Sequence, residues 1–252
     1  MLNKTISVAL VEPLYPINIG YIARCMKNFG LKQLYIINPQ CQINDEAYRY
    51  AMHGRDVLSK AIVIDRLVEL KKSFDVLIAT TGKLSKKKSP FRRVISPERM
   101  AKIIQEYENG KFLIIFGRED KGLLNKELGL CDIVVSIPAN PEYSILNISH
   151  AAVILFYILF REISLKSPSY KKIPKREITD KFILYSKEIM NITKVPKYKI
   201  QRFEITLKRI IFEYGLDEKD LIVLLGLVRR AYDKLKQCLD KSYINSLGLS
   251  EV

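Results

Sequence analysis

Six apolar runs punctuate the first two-thirds of the chain: Ile6–Val11, Gln33–Asn38, Ala61–Ile64, Phe74–Thr80, Lys111–Phe116 and Ile133–Ile137. They are near-continuous in Val, Ile and Leu, which predicts strands covered on both faces, as in a parallel sheet. Stretches with helical periodicity lie between them, at Ile19–Phe29, Pro97–Glu108, Lys121–Leu130 and Ile148–Ser164. Such alternation predicts an α/β fold with helices on both sides of the sheet. Several runs end in small or turn-forming residues, among them Thr80-Thr81-Gly82 and Gly117. In open α/β sheets, ligands bind at those carboxyl ends.

The pattern changes after Ser164. Lys166–Arg176 holds two prolines and five basic residues and reads as a linker. Beyond it the periodicity is helical only. Ile200, Phe203, Leu207, Ile210, Ile211 and Tyr214 mark one face of a helix, Gly215 supplies a stop, and Asp217 is placed to cap the next helix. That next helix is expected to bury Leu221, Leu224, Leu225, Val228, Ala231 and Leu235. The predicted organisation is an α/β domain over 1–165, a linker over 166–176 and a small basic α-helical domain over 177–252.

Charge adds a partner class. The 252 residues carry a formal charge of +15, and residues 166–252 hold 19 basic against 11 acidic side chains. A field of this sign attracts polyanions, so RNA, DNA or an anionic membrane surface are the natural partners. The run from Lys83 to Arg93 is the densest local case: Lys83, Lys86, Lys87, Lys88, Arg92 and Arg93 stand there without an acidic residue. Following a strand end that could hold a ligand, this stretch is a candidate clamp for RNA phosphates. The longest apolar run, Ala151–Phe160, is too short to span a bilayer, and no signal peptide is visible, so a cytoplasmic protein is expected. Four scattered cysteines and two histidines give neither a disulfide framework nor zinc spacing, and no metal is expected.

Three segments carry candidate chemistry. Asn18-Ile-Gly-Tyr-Ile-Ala-Arg24 follows the first strand; its Arg can bind phosphate or lower the pKa of a nearby hydroxyl if Asn18 sits in the loop before the helix. Phe116-Gly-Arg-Glu-Asp-Lys-Gly-Leu123 stands where a buried strand yields to a helix, with Glu119 placed to complement that helix's N-terminus. Ile137-Pro-Ala-Asn-Pro-Glu-Tyr-Ser-Ile-Leu-Asn-Ile-Ser-His150 is an elaborate turn before an apolar helix, and Asn147 and Ser149 are possible caps. No Gly-x-Gly-x-x-Gly follows the first strand, which disfavours a dinucleotide-binding oxidoreductase.

Taken together, the order and spacing of these segments resemble the SpoU-like branch of the SPOUT superfamily of knotted methyltransferases, and within it the TrmJ-type tRNA 2′-O-methyltransferases. The likeness rests on Val11-Glu-Pro, Asn18-Ile-Gly, Ala23-Arg24 and Lys27-Asn-Phe-Gly30, then Phe116-Gly-Arg-Glu and Gly122-Leu123. It closes with Cys131-Asp, Ile137-Pro, Asn140-Pro-Glu-Tyr-Ser144 and Leu146-Asn-Ile-Ser149, covering about residues 5–165. The resemblance implies a SPOUT fold with a C-terminal trefoil knot, a homodimer, tRNA as partner and S-adenosylmethionine as cofactor. It further implies 2′-O-methylation of cytidine or uridine at position 32 of the anticodon loop. Thr80, Thr81, Gly82, Gly117, Ile137, Ser144, Ile145 and Leu146 would hold the cofactor. Arg24 would activate the ribose 2′-hydroxyl, with Asn18, Glu119 and Asn147 positioning the reacting groups. Ile145 stands where relatives commonly have Ser, so no catalytic serine is carried over. The alternatives are a 2′-O-methyltransferase for rRNA or another tRNA position, or a knotted RNA-binding protein without catalysis.

Overall fold

A computed structural model describes residues 3–82, 94–107, 109–164 and 171–246. Among them, six strands form one wholly parallel sheet in the order β3-β2-β1-β5-β4-β6. The strands are β1 (Asn3–Val11), β2 (Gln33–Ile37), β3 (Ile62–Ile64), β4 (Val76–Thr80), β5 (Asn109–Phe116) and β6 (Ile133–Val135). Each of the six apolar runs supplies one strand. Six helices belong to the same unit: α1 (Pro16–Asn28), α2 (Asp45–Ala51), α3 (Arg55–Ser59), α4 (Pro97–Glu106), α5 (Asn125–Leu130) and α6 (Ile148–Ser164). The short helices α2 and α3 are additions to the sequence reading. With two turns or fewer they show too little periodicity to register, although Asn44 caps α2 by accepting from the Glu46 amide at 3.1 Å.

The central strands are buried because both faces are covered. Leu34, Ile36, Leu77, Ile78 and the run Phe112–Ile115 are fully inaccessible, and α1 contributes Ile19, Ile22, Ala23 and Met26 to the same core. Gly20 allows a backbone approach between α1 and α2, since a Cβ there would lie 2.4 Å from the Ala47 carbonyl. The chain runs β1, β2, β3 toward one edge, then builds β4 and β6 on the other side with β5 inserted beside β1. The loops after β1, β4, β5 and β6 therefore gather at one carboxyl end, where the topology reverses direction.

The chain divides into two compact units, Met1–Ile173 and Pro174–Val252, and the division falls inside the stretch read as a linker. In the second unit, α7 (Arg176–Ile192), α8 (Lys197–Phe212) and α9 (Glu218–Ser246) pack around Phe182, Ile183, Leu207, Ile211, Phe212 and Leu221. Asp217 caps α9 by accepting from the Lys219 amide at 2.9 Å, and Gly215 turns the chain with φ +73°. Two expectations about buried faces are corrected. On α8, Ile210 is exposed and the buried side is rotated toward Lys208 and Phe212, while Tyr214 is exposed beyond the end of the helix. Of the six residues expected to be buried on α9, Leu221 is fully buried, Leu225, Val228 and Leu235 are partly covered, and Leu224 and Ala231 are exposed. The width of the covered stripe explains the second case. Leu221, Leu225, Val228, Tyr232 and Leu235 recur at three- and four-residue spacing and are the covered positions, Tyr232 packing on Tyr185 of α7 at 5.2 Å, while Leu224 and Ala231 lie beside that stripe.

Candidate active site at the carboxyl end of the sheet

The loops at the carboxyl end enclose a cleft of about 840 Å³, partly open to solvent. Its walls come from the ends of β4 and β5, from the loop following each of them and from the loop after β6. All eight residues expected to hold a cofactor line it: Thr80, Thr81, Gly82, Gly117, Ile137, Ser144, Ile145 and Leu146. Glu119 lines it too. The backbone is held tightly here. Thr80 donates from Oγ1 to the Ile115 carbonyl at 3.0 Å, the Thr81 amide donates to the Val135 carbonyl at 2.9 Å, and Ser144 Oγ donates to the Gly82 carbonyl at 3.4 Å. Ile145 is half exposed and lines the cleft, an apolar side chain at the position from which no catalytic serine was carried over.

Three of the four expected catalytic residues are brought together in a hydrogen-bonded line. Glu119 accepts from Asn18 Nδ2 at 3.0 Å, and Asn18 Oδ1 accepts from Asn147 Nδ2 at 3.3 Å. Asn147 in turn caps α6, its Oδ1 accepting from the amide and hydroxyl of Ser149 at 2.8 and 2.7 Å. The capping role and the site role of Asn147 are thus filled by the same side chain. Two local expectations change. Asn18 lies inside the first turn of α1, which Pro16 opens, rather than in the preceding loop. Glu119 is no helix-terminal charge, because α5 begins only at Asn125. Gly122, with φ +69°, closes a turn on Arg118, and Glu127 caps α5 instead.

Arg24 is not part of this line. It is exposed on α1, away from the buried face that carries Asn18, and does not line the cleft. The six basic side chains from Lys83 to Arg93 lie outside the described residues. Among the described residues no group of His, Cys, Asp and Glu is placed to hold a metal ion, and no helix is long and apolar enough to cross a membrane.

The sequence reading missed part of the cleft lining. Asp120, Lys121, Gly122 and Leu123 line it alongside Glu119, and Ile148, Ala151 and Leu155 close it from α6. The latter three recur at three- and four-residue spacing, a signal of one helix face that was available in the sequence. Arg118 also lines the cleft and is bound to two carboxylates. Glu12 is held below the usual carboxylate range by its hydrogen bond from Arg118, against the opposing effect of burial. The stability this contributes is present above the ordinary carboxylate pKa and is lost as pH falls through the depressed folded-state value.

Comparison with known proteins agrees with this architecture. The profile of the SpoU rRNA Methylase family matches residues 5–157. The tRNA (cytidine-2′-O-)-methyltransferase TrmJ of Sulfolobus acidocaldarius is 34% identical over 92% of this chain and 95% of its own length. Its namesake from Methanocaldococcus jannaschii is 37% identical over 88% of this chain and 97% of its own. Among solved structures, TrmJ from Z. mobilis ZM4 superposes with a TM-score of 0.66 at 26% identity, covering 90% of this chain and 99% of that one. The parallel sheet, the three loops gathered at its carboxyl end and these matches lead to one conclusion: the chain belongs to the SpoU methylase family.

Proposed function

We propose that the chain is an S-adenosylmethionine-dependent tRNA 2′-O-methyltransferase of the cytoplasm, acting on cytidine or uridine at position 32 of the anticodon loop. The observation that carries this reading is the line Glu119–Asn18–Asn147, which runs from the cleft wall through the first turn of α1 to the start of α6. SpoU methyltransferases use S-adenosylmethionine. The cleft suits that cofactor: Val135, Ile137, Leu146 and Leu155 offer apolar surface for a purine, and Glu119 and Asp120 offer negative charge near a sulfonium. When bound, the cofactor supplies a methyl group with a good leaving group behind it.

A ribose hydroxyl is a weak nucleophile until its proton is drawn away. Arg24 lowers the hydroxyl's pKa and pairs with an adjoining phosphate, the proton passing to solvent as the oxygen–methyl bond forms and the methyl–sulfur bond breaks, while Asn18 and Asn147 fix where α1 and the third loop meet. Placement of oxygen, carbon and sulfur in line is then most of what the protein contributes. The trefoil knot implied by the family belongs to the same proposal. Incubating the purified chain with labelled cofactor and bulk tRNA, then mapping 2′-O-methylated riboses, tests the reading. A single modified ribose in the anticodon loop is expected; no transfer, or methyl on a base, overturns it.

The exposed position of Arg24 fits a homodimer. Tyr157 and Phe160 on α6 are half exposed, and their rings pack against Phe29 just after α1, with centroids 6.3 and 5.9 Å away. A half-exposed aromatic patch of this kind suits an interaction surface. Light scattering is expected to return twice the chain mass, and Phe160→Glu to shift the protein to monomer with methyl transfer lost. A wild-type monomer at working concentration contradicts the assignment.

RNA contact is assigned to the Lys83–Arg93 stretch and to the basic helical unit. Replacing Lys86, Lys87 and Lys88 with Gln is expected to lower the slope of log affinity against log salt by about two to three. An unchanged slope removes these lysines from the interface.

A further inference from the structure

Arg118 was read from the sequence only as part of a motif, yet its surroundings are unusual. Its side chain is 8% exposed. Nε donates to Glu12 Oε2 at 2.7 Å, and Nη1 and Nη2 donate in parallel to Glu127 Oε2 and Oε1, both at 3.0 Å. Nη1 also reaches the Gly122 carbonyl at 3.2 Å. Four of the five N–H groups of the guanidinium are thereby engaged within the protein. A planar fork suits two carboxylates approaching from different sides, which a lysine ammonium does not reproduce.

The two carboxylates come from different segments of the chain behind the cleft wall that Arg118 lines. Glu12 directly follows β1 and adopts a left-handed backbone with φ +47°, a conformation uncommon for a residue with a Cβ. It opens the short loop that leads into α1. Glu127 sits in the first turn of α5, where its Oε2 also accepts from the Leu124 amide at 2.7 Å. The neighbouring residue takes the same short loop further along: Glu119 accepts from the Leu14 amide and from Asn18 Nδ2, both at 3.0 Å. Consecutive side chains, 118 and 119, therefore grip the segment from Glu12 to Asn18 at three points.

We propose that Arg118 is a positioning residue: through Glu12 it fixes the loop that delivers Asn18 and α1, and through Glu127 it ties that loop to the wall formed by residues 117–124. This rests on the reading of the cleft as a ribose methylation site. Arg118 acts on the reaction only through the geometry it imposes. Its charge is committed to Glu12 and Glu127, so it is not a phosphate anchor despite standing at the cleft of a basic protein.

Two variants of the full chain test this. Glu12→Gln keeps the shape of the side chain and removes its charge; Arg118→Lys keeps the charge and removes the fork. In Glu12→Gln, the amides of Leu14 and Asn18 are expected to exchange hydrogen at least about tenfold faster, with those of Val8 and Leu10 in β1 unchanged. The kcat for methyl transfer is expected to fall about 10- to 100-fold while KM for S-adenosylmethionine moves less than about threefold. Arg118→Lys is expected to behave like Glu12→Gln and not like wild type. Unchanged exchange and unchanged kcat in Glu12→Gln overturn the proposal. So does a loss of cofactor affinity equal to the loss of kcat, which marks general loosening. Should the wild-type chain transfer no methyl group to RNA, the methylation reading fails on its own, and the exchange comparison still decides whether Arg118 holds the loop.

Discussion

Arg24→Ala is expected to lower the rate of methyl transfer to tRNA by about 10²- to 10⁴-fold, the range associated with losing a group that moves or polarises a proton. Cofactor affinity is expected to stay within about twofold, because Arg24 does not line the cleft. The fold is expected to be untouched, since the side chain is exposed and truncating such a residue seldom changes stability by more than about 0.5 kcal/mol. Single-turnover methylation, calorimetric cofactor binding and thermal unfolding on one preparation check the three parts. Wild-type turnover in this variant removes Arg24 from the chemistry. An equal loss in binding and turnover moves it from the ribose side of the site to the cofactor side.

Gly117→Ala is expected to abolish cofactor binding by a different route. A Cβ at this position would stand 2.3 Å from Gly122 C and 2.3 Å from Leu123 N. Both contacts are backbone, so no side chain can swing away and the loop itself has to move. Overpacking of this kind costs about 1–3 kcal/mol, and here the displaced atoms are the cleft wall. A loss of at least about 100-fold in cofactor affinity is expected, together with a lowered unfolding temperature. Gly226→Ala in α9 is the control: nothing lies within 4 Å of its added Cβ, and it should leave binding unchanged and stability equal or higher by about 0.5–1 kcal/mol. Normal cofactor affinity in Gly117→Ala would show that the 117–123 loop is not part of the binding wall.

The sheet was legible because a doubly covered strand must be apolar along its whole length, and runs such as Lys111–Phe116 leave few other solutions. Helix α6 was legible to its ends for a similar reason: its apolar pattern starts directly after the capping residue Asn147. The helical unit was less so. Periodicity says which residues could face a core, but not how wide the covered stripe is, and on α9 it takes in Leu225 and Leu235 while leaving Leu224 and Ala231 exposed. At the site, the eight residues that the motif resemblance implied for a cofactor all line one cleft. Glu12 and Arg118 each stand in a motif segment, but nothing in the sequence pairs them, since they are 106 positions apart and neither stands in a periodic pattern. Glu119 was misread locally for the same reason. Proximity to a helix start could be guessed from neighbours, but its bond to Asn18 spans 101 positions.

Those separations bear on how the protein comes to be active. The bond between Asn147 and Asn18 spans 129 positions, so no contiguous fragment shorter than that interval contains both ends of the polar line. Contacts of such long range form late, after the entropy of closing large loops has been overcome. During synthesis, β1 and α1 emerge long before the segments that complete the cleft. The nascent chain cannot complete this cleft until α6 has emerged as far as Leu155, whose side chain is part of its lining.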